Sequence, residues 1–377
     1  CRELFAQFFI RIYDEIPTSV LAEFSKLKIL QAPNFRDFRQ AFRAKLGRNF
    51  IVPANSFDNV KGQFPIGFFI WDTNQKEVFE ETTTTIYDSK GEELGNKLIS
   101  SYLNDTNVIV WLRQYYDKQG ESIGFLRMNG TNIQNNLGIY ITSKLSDNDI
   151  HNHFYAEITK TNILPMCIYL SIRETVNANW INDRDQYLVP SSKWEDDKEF
   201  QYNCLIHSLF SGQNRIQSQH GTNHWIPFSE EEVGAQDNFE SHFIHDFIMG
   251  KVKEEKPQQK ETMQDLFAEQ EPQTTGGSSF TPTGPLEFSQ EAQAVLDAGR
   301  ELWRYYHKQA GANPNASYYD IKMHFQGTKT TKSGKLQMNS TSEDATYNTL
   351  LANLRQAMKG LAAHIEPKVY EYGFLKK

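Results

Sequence analysis

The chain has 377 residues, 39% hydrophobic, 23% charged and 13% aromatic, a balance that suits two or three folded domains and excludes a fibrous or wholly disordered protein. Its longest apolar runs, Ile66 to Trp71 and Val108 to Leu112, are far shorter than the roughly 20 residues of a membrane-spanning helix. The net charge of -8 argues against a histone-like coat on nucleic acid, and three scattered cysteines, Cys1, Cys167 and Cys204, form no CxxC pair and fit a reducing cytoplasm rather than a disulfide or zinc scaffold.

The first residues read as a helix under way: Leu4, Phe5, Phe8 and Ile12 recur at the spacing of a buried helical face. No capping Ser, Thr, Asp or Asn precedes Leu4, so the expectation is a chain cut inside a domain. Pro17 ends that helix and Val20 to Phe24 reads as a strand. A loop from Lys26 to Pro33 leads to Asn34, the expected N-cap of a helix over Phe35 to Leu46 that Gly47 closes. Phe50 to Val52 and Ile66 to Trp71 are the next strands, the latter apolar at nearly every position, as when helices cover both faces. This order is that of the second half of an α/β layered domain.

From Glu77 to about Leu188 the pattern turns to short β-type runs, Phe79 to Tyr87, Val108 to Tyr116, Ile123 to Met128, Leu137 to Thr142 and Met166 to Ile172, divided by glycine-bearing turns. Residues 191–250 read as helical and acidic, and 251–285 as a linker of Lys, Glu, Gln, Pro, Thr, Ser and Gly. Residues 286–377 form a small helical unit, with one apolar stripe on Val295, Leu302, Trp303 and Tyr306 and another from Leu350 to Ile365 that stops before Pro367. The expected division is therefore 1–75, 76–190, 191–250, 251–285 and 286–377.

The strongest local charge lies between Lys26 and Arg48, where Lys26, Lys28, Arg36, Arg39, Arg43, Lys45 and Arg48 face a single acid, Asp37. On a helix Arg36, Arg39 and Arg43 share one face and can follow a phosphate backbone, although a solvated helix face has the same pattern. Downstream, the loop between the Phe50 and Ile66 strands carries two aromatics, Phe57 and Phe64. A loop phenylalanine usually plugs a core; aimed into a cleft, its ring can stack on a planar base.

The succession from Val20 through the Lys26 loop, the Arg36 helix, the Phe50 strand, the Phe57 loop and Phe64-Pro-Ile-Gly-Phe-Phe-Ile-Trp71-Asp72 resembles the later half of the catalytic domain of S-adenosylmethionine-dependent, adenine-specific DNA methyltransferases of bacterial restriction-modification systems. The resemblance covers about the first 75 residues. It implies the C-terminal half of a Rossmann-like methyltransferase sheet, followed by a β-rich mixed domain that contributes to DNA target recognition and by the helical C-terminal unit. It further implies double-stranded DNA, with other restriction-modification subunits, as partner. Phe57, with Phe64 second, would stack the target adenine, and Lys26, Lys28, Arg36, Arg39 and Arg43 would hold the phosphates.

Two family motifs are missing. There is no glycine-rich cofactor turn and no Asp/Asn-Pro-Pro-aromatic tetrapeptide, so the sequence offers no catalytic and no cofactor-binding residue of its own, and the segment alone is expected to be inactive. The rival reading is a non-enzymatic DNA-binding or assembly module. A metal-dependent nuclease built on His220, His224, His242 and His245 ranks last, because their spacing matches no standard zinc pattern; Asp183, Asp185, Asp196 and Asp197 read as surface residues, and no metal is assigned.

Overall fold

The computed structural model describes residues 3–252, 282, 284–332, 334 and 336–377. Cys1 and most of the expected linker lie outside them. The protein is mixed α/β, and among the described residues no helix is long and apolar enough to cross a membrane.

The N-terminal part contains α1 (Leu4–Glu15), β1 (Val20–Lys26), α2 (Lys28–Gln31), α3 (Arg36–Ala41), β2 (Ala44–Pro53), β3 (Pro65–Lys76), β4 (Glu81–Tyr87) and β5 (Glu93–Ser100). The five strands form one sheet in the order β1-β3-β2-β4-β5. β3 runs antiparallel to both neighbours, so β1 and β2 are parallel to each other; β2 pairs parallel with β4, and β4 antiparallel with β5. The sheet thus continues past residue 75. One of its faces is packed with Phe9, Phe35, Phe38 and Phe42 from the helical layer against Ile51, Phe69 and Trp71. The ring of Phe42 meets Trp71 edge-on at 5.3 Å.

Several expectations are corrected here. In α1 the inward residues are Ala6 and Phe9, while Leu4 and Phe8 are 72% and 61% exposed. The helix expected to reach Leu46 stops at Ala41, because Lys45 and Leu46 pair with Asp72 and Trp71 of β3, and sheet pairing outweighs local helical spacing. The Lys26 to Pro33 loop contains α2. β3 is not covered equally on both faces: Pro65, Gly67, Phe69 and Trp71 are buried, whereas Ile66, Phe68 and Ile70 are only half-buried.

The remainder comprises α4 (Val108–Arg113), β6 (Ser122–Arg127), β7 (Tyr140–Thr142), α5 (Asp147–Asn152), β8 (Tyr155–Thr159), α6 (Ile163–Thr175), α7 (Lys198–Phe210), β9 (Asn214–Arg215), α8 (Glu230–Val233), α9 (Phe243–Ile248), α10 (Gln290–His307), α11 (Tyr318–Gln326), β10 (Thr328–Thr330), β11 (Leu336–Met338) and α12 (Ala345–Glu371). A four-stranded sheet in the order β8-β6-β7-β9 packs into a core that runs from Val108 to Leu375 and joins α4, α6 and α7 to α10 and α12. Val108 to Tyr116 and Met166 to Ile172, expected as strands, lie in α4 and α6. α6 buries nearly its whole surface, which removes the periodicity that tells helix from strand, and α4 is only six residues long, too short to show a helical period. Only Tyr140–Thr142 of the expected Leu137 strand is extended. α12 passes through Pro367, which is exposed, so the carbonyl of the preceding turn that loses its amide partner faces water.

Inside this second core, Arg173 is fully buried, with no carboxylate partner among the described residues. It donates to the carbonyls of Gly130 (2.7 Å) and Asn132 (3.0 Å), to Asn136 Oδ1 (2.7 Å) and to the Tyr169 hydroxyl (3.1 Å), and its guanidinium lies 4.4 Å from the Tyr187 ring. These bonds hold the 130–136 loop in one conformation, since each is a charge-assisted contact in a low-dielectric setting.

Asp185, expected at the surface, is instead buried where the two cores meet. Its carboxylate accepts from Lys97 of β5 at 2.6 Å and from Gln31 of α2 at 3.2 Å. Burial outweighs the Lys97 charge and holds this carboxyl above the usual range, and burial likewise pushes the neighbouring Asp183 up to about 6. Removing one partner of such a pair leaves the other charge buried and uncompensated. Lys97→Met is therefore expected to cost about 3 kcal/mol in urea unfolding, and Lys97→Met with Asp185→Leu to recover most of it. An unchanged midpoint in the single variant would remove the pair from the account of the junction.

Glu23 of β1 points into the first core, with Trp71 Nε1 3.5 Å from Oε1. Burial pushes its carboxyl up from 4.5 to about 7, opposed by hydrogen bonds from Ser25 and Trp71. The folded protein thus holds this proton more tightly than the unfolded chain, and stability falls as pH rises from the unfolded pKa through the folded one. Glu23→Gln is expected to match the wild type near pH ~4 and to exceed it by about 2 kcal/mol at pH ~8. Urea midpoints at the two pH values measure this, and a difference independent of pH would contradict it.

Candidate nucleic-acid interface

Among the described residues β1 pairs on one side only, with β3, through seven successive partners from Val20↔Asp72 to Lys26↔Ile66 without a register shift. Its side chains alternate accordingly. Leu21, Glu23 and Ser25 turn inward, while Val20, Ala22, Phe24 and Lys26 face outward, with Val20 and Phe24 68% and 53% exposed.

The loop from β2 to β3 begins with a 3-10 turn at Ala54–Ser56 and bends at Asn59, whose φ of 64° lies in the left-handed region that asparagine tolerates better than most residues. The Phe57 amide donates to the Ala54 carbonyl at 3.1 Å, and the Ala54 amide donates to the Phe64 carbonyl at 2.8 Å. These bonds bring the loop's two aromatics back to the outer side of β1. Phe57 is 37% exposed and meets Phe24 edge-on at 5.4 Å; the Lys26 ammonium sits 4.9 Å over the Phe64 ring. The arrangement offers ring surface beside a cation, the combination that can hold an extrahelical base and an adjacent phosphate.

The five basic candidates do not act as one row. Lys26 is exposed, with its ammonium over the Phe64 ring. Lys28 gives its ammonium to the carboxylate of Glu3. Arg36 donates to the Leu103 carbonyl at 2.7 Å. Arg39 is turned inside, 3% exposed, and donates to the carbonyls of Ile29 (3.1 Å) and Ala32 (2.9 Å); burial pulls its pKa down to about 10. It satisfies carbonyls that the short helix α2 leaves open, and it is thereby removed from any phosphate-binding face. Arg43 lies beyond the end of α3 and is exposed, with Nε donating to the Gln40 carbonyl at 3.3 Å. Lys26, Arg36 and Arg43 are thus exposed, Arg36 with one N–H committed to the Leu103 carbonyl.

The histidines are separately engaged. His224 Nδ1 lies 2.7 Å from the Ser241 hydroxyl, His242 Nε2 lies 2.7 Å from Glu230, and His245 Nε2 lies 3.7 Å from Glu232, while His220 is exposed. Among the described residues no group of three or more His, Cys, Asp or Glu is placed to hold a metal ion.

The outer face holds further aromatics that linear reading does not connect. Phe24↔Phe68 and Phe50↔Phe68 are direct cross-strand pairs, and Phe50↔Thr85 continues the same line onto β4. The ring centroids of Phe24 and Phe68 are 4.7 Å apart, those of Phe68 and Phe50 5.3 Å, and those of Phe50 and Tyr87 5.8 Å. Phe57 therefore stands at one end of a line of rings that crosses four strands. Alternation in each strand carries half of that information; the rest depends on register. Comparisons with family models, with curated proteins and with solved structures find no match to this chain.

Proposed function

We propose that this chain is the DNA-engaging C-terminal part of an S-adenosylmethionine-dependent, adenine-specific DNA methyltransferase of restriction-modification type, in which Phe57 stacks the target adenine once it leaves the duplex. The observation that carries the reading is the exposed ring of Phe57, held edge-on to Phe24 beside the Lys26 and Phe64 pair at the unpaired margin of the sheet. A base taken out of a duplex loses its stacking, and an aromatic at this place returns it. Lys26 and Arg43 supply charge for the backbone, which positions the DNA without reading its sequence.

The cofactor does not fit the residues present. β1 leads through Leu27 directly into α2, and no glycine there takes a positive φ that would let the backbone approach a ligand closely. The Pro-Pro-aromatic tetrapeptide is also absent from the sequence. On this reading, methyl transfer requires a cofactor-bearing half whose strands join the sheet at the free edge of β1, and this chain contributes base capture and DNA contact.

The test uses two duplexes, one fully paired and one with 2-aminopurine opposite an abasic site. Phe57→Ala is expected to weaken binding of the second about five- to tenfold and to leave the first unchanged. Equal affinities of both proteins for both duplexes would overturn the role of Phe57. Methyl transfer from radiolabelled S-adenosylmethionine is read on the complete protein encoded by the gene; its absence on mixed-sequence DNA would overturn the reaction.

A further inference from the structure

We propose that Lys322, Arg215 and Arg355 form a binding site for a small phosphate anion in the second core, built around the buried ammonium of Lys322 where α11 packs on β9. The site lies outside the five-stranded sheet that carries Phe57, and it requires neither DNA nor a methyl donor, so it stands or falls apart from the methyltransferase reading.

The local sequence places Lys322 inside. Ser317 and Asp320 cap α11 reciprocally: the Ser317 hydroxyl accepts from the Asp320 amide at 3.0 Å, and the Asp320 carboxylate accepts from the Ser317 amide at 3.0 Å. The same carboxylate accepts from the Ser218 amide at 2.9 Å, and the Ser317 hydroxyl donates to the Ile216 carbonyl, which fixes the start of α11 against the chain that leaves β9. Ile321 and Lys322 then stand three and four residues after Tyr318, on the inward face of the helix, and Lys322 is 7% exposed. A core position thus carries an ammonium.

That ammonium lacks a counter-charge in contact. It lies 4.3 Å over the Tyr318 ring and 5.6 Å from the Tyr319 ring, and it makes no hydrogen bond or ion pair among the described residues. The rings offset part of the lost hydration but supply no net charge. Burial, aided by the Arg355 charge, pulls its pKa down to about 8, so the group is still largely protonated at neutral pH. Glu174, in the last turn of α6, is the carboxylate that acts on it, yet its Oε2 accepts from the Ser211 hydroxyl and no ion pair joins it to Lys322. Burial pushes Glu174 up to about 7, against the Ser211 hydrogen bond and the charges of Lys322 and Arg215.

The charges around Lys322 select the occupant. Lys322, Arg215 and Arg355 set three positive charges against the carboxylate of Glu174, an excess of two, which a phosphate dianion balances and a monovalent anion does not. The other acids nearby are committed: Asp320 to the two amides of the cap, and Asp149 to Arg127 at 3.3 Å and to the Tyr140 hydroxyl at 2.9 Å. Arg215 lies 3.8 Å over the Tyr140 ring and gives one N–H to Gln213 at 2.7 Å, which leaves the rest of its fork for oxyanion oxygens. Arg355 is exposed, and Arg215 and Glu174 are half-buried, so the cluster is open to solvent.

The experiment titrates inorganic phosphate into the full 377-residue chain at neutral pH by isothermal titration calorimetry, with acetate at equal ionic strength as the singly charged control. The wild type is expected to bind phosphate at least about tenfold more tightly than acetate, and Arg355→Ala, at an exposed position of α12, to raise the phosphate Kd about fivefold or more. Lys322→Met is expected to abolish binding. Because this variant removes an unpaired buried charge, its thermal midpoint without phosphate is expected to equal or exceed that of the wild type, whereas added phosphate raises the midpoint of the wild type alone. The proposal is overturned if the wild type does not bind phosphate, if acetate binds as tightly, or if Lys322→Met binds phosphate as the wild type does. Should Lys322→Met fail to fold, Arg355→Glu decides: loss of phosphate binding supports the site, and an unchanged Kd removes it.

Discussion

The antiparallel pairing of β3 along both its edges is the constraint on which the N-terminal half depends. With β1 on one side and β2 on the other, alternate residues of this strand are committed to opposite environments: Phe69 and Trp71 to the helical layer, Ile66, Phe68 and Ile70 to the outer face. A shift by one residue would exchange the two sets and expose the tryptophan. The same register aligns Phe24, Phe68 and Phe50, so the packing that secures the core also composes the aromatic surface. Core and candidate site are two faces of one pairing pattern.

Buried charge is used sparingly and in different ways. Arg173 faces only neutral oxygens and rings and fixes a loop. Arg39 closes the carbonyls of a short helix. Asp185 with Lys97 and Gln31 joins the edge of the first sheet to the second core. Each costs desolvation and is compensated by directed bonds rather than by bulk polarity, which makes the local geometry specific. Basic residues that look alike in sequence therefore divide between structure and surface: Arg39 belongs to the first class, Arg48 to the second.

The sequence made the mixed α/β class, β1 and the core of β3 readable, because Pro17, Pro53 and Pro65 punctuate short apolar runs. It misled at α6, where residues such as Ile168 and Ile172 leave no exposed side and a helix shows no stripe, and at α4, whose six residues are too few to show a period. It also misled over the helix expected from Phe35 to Leu46, since the competing partner of Leu46 is Trp71, distant along the chain. Phe57 and Lys26 stood out by type and neighbourhood. Phe50, Phe68 and Tyr87 did not, because what distinguishes them is adjacency across strands.

The final residues of the chain carry a consequence for biosynthesis. Phe374 and Leu375 are buried, the Phe374 carbonyl accepts from the Leu188 amide at 2.9 Å, and the Tyr372 carbonyl accepts from the Ser191 amide at 2.8 Å. The first sheet is built entirely from residues up to Ser100, whereas the second core closes only with these last residues. On the ribosome the two halves mature in sequence: the sheet can form early, and the larger core remains an open hydrophobic assembly until Phe374 and Leu375 have emerged. A chain that stops before Phe374 therefore carries a sheet that is already paired and a second core that lacks the residues that close it.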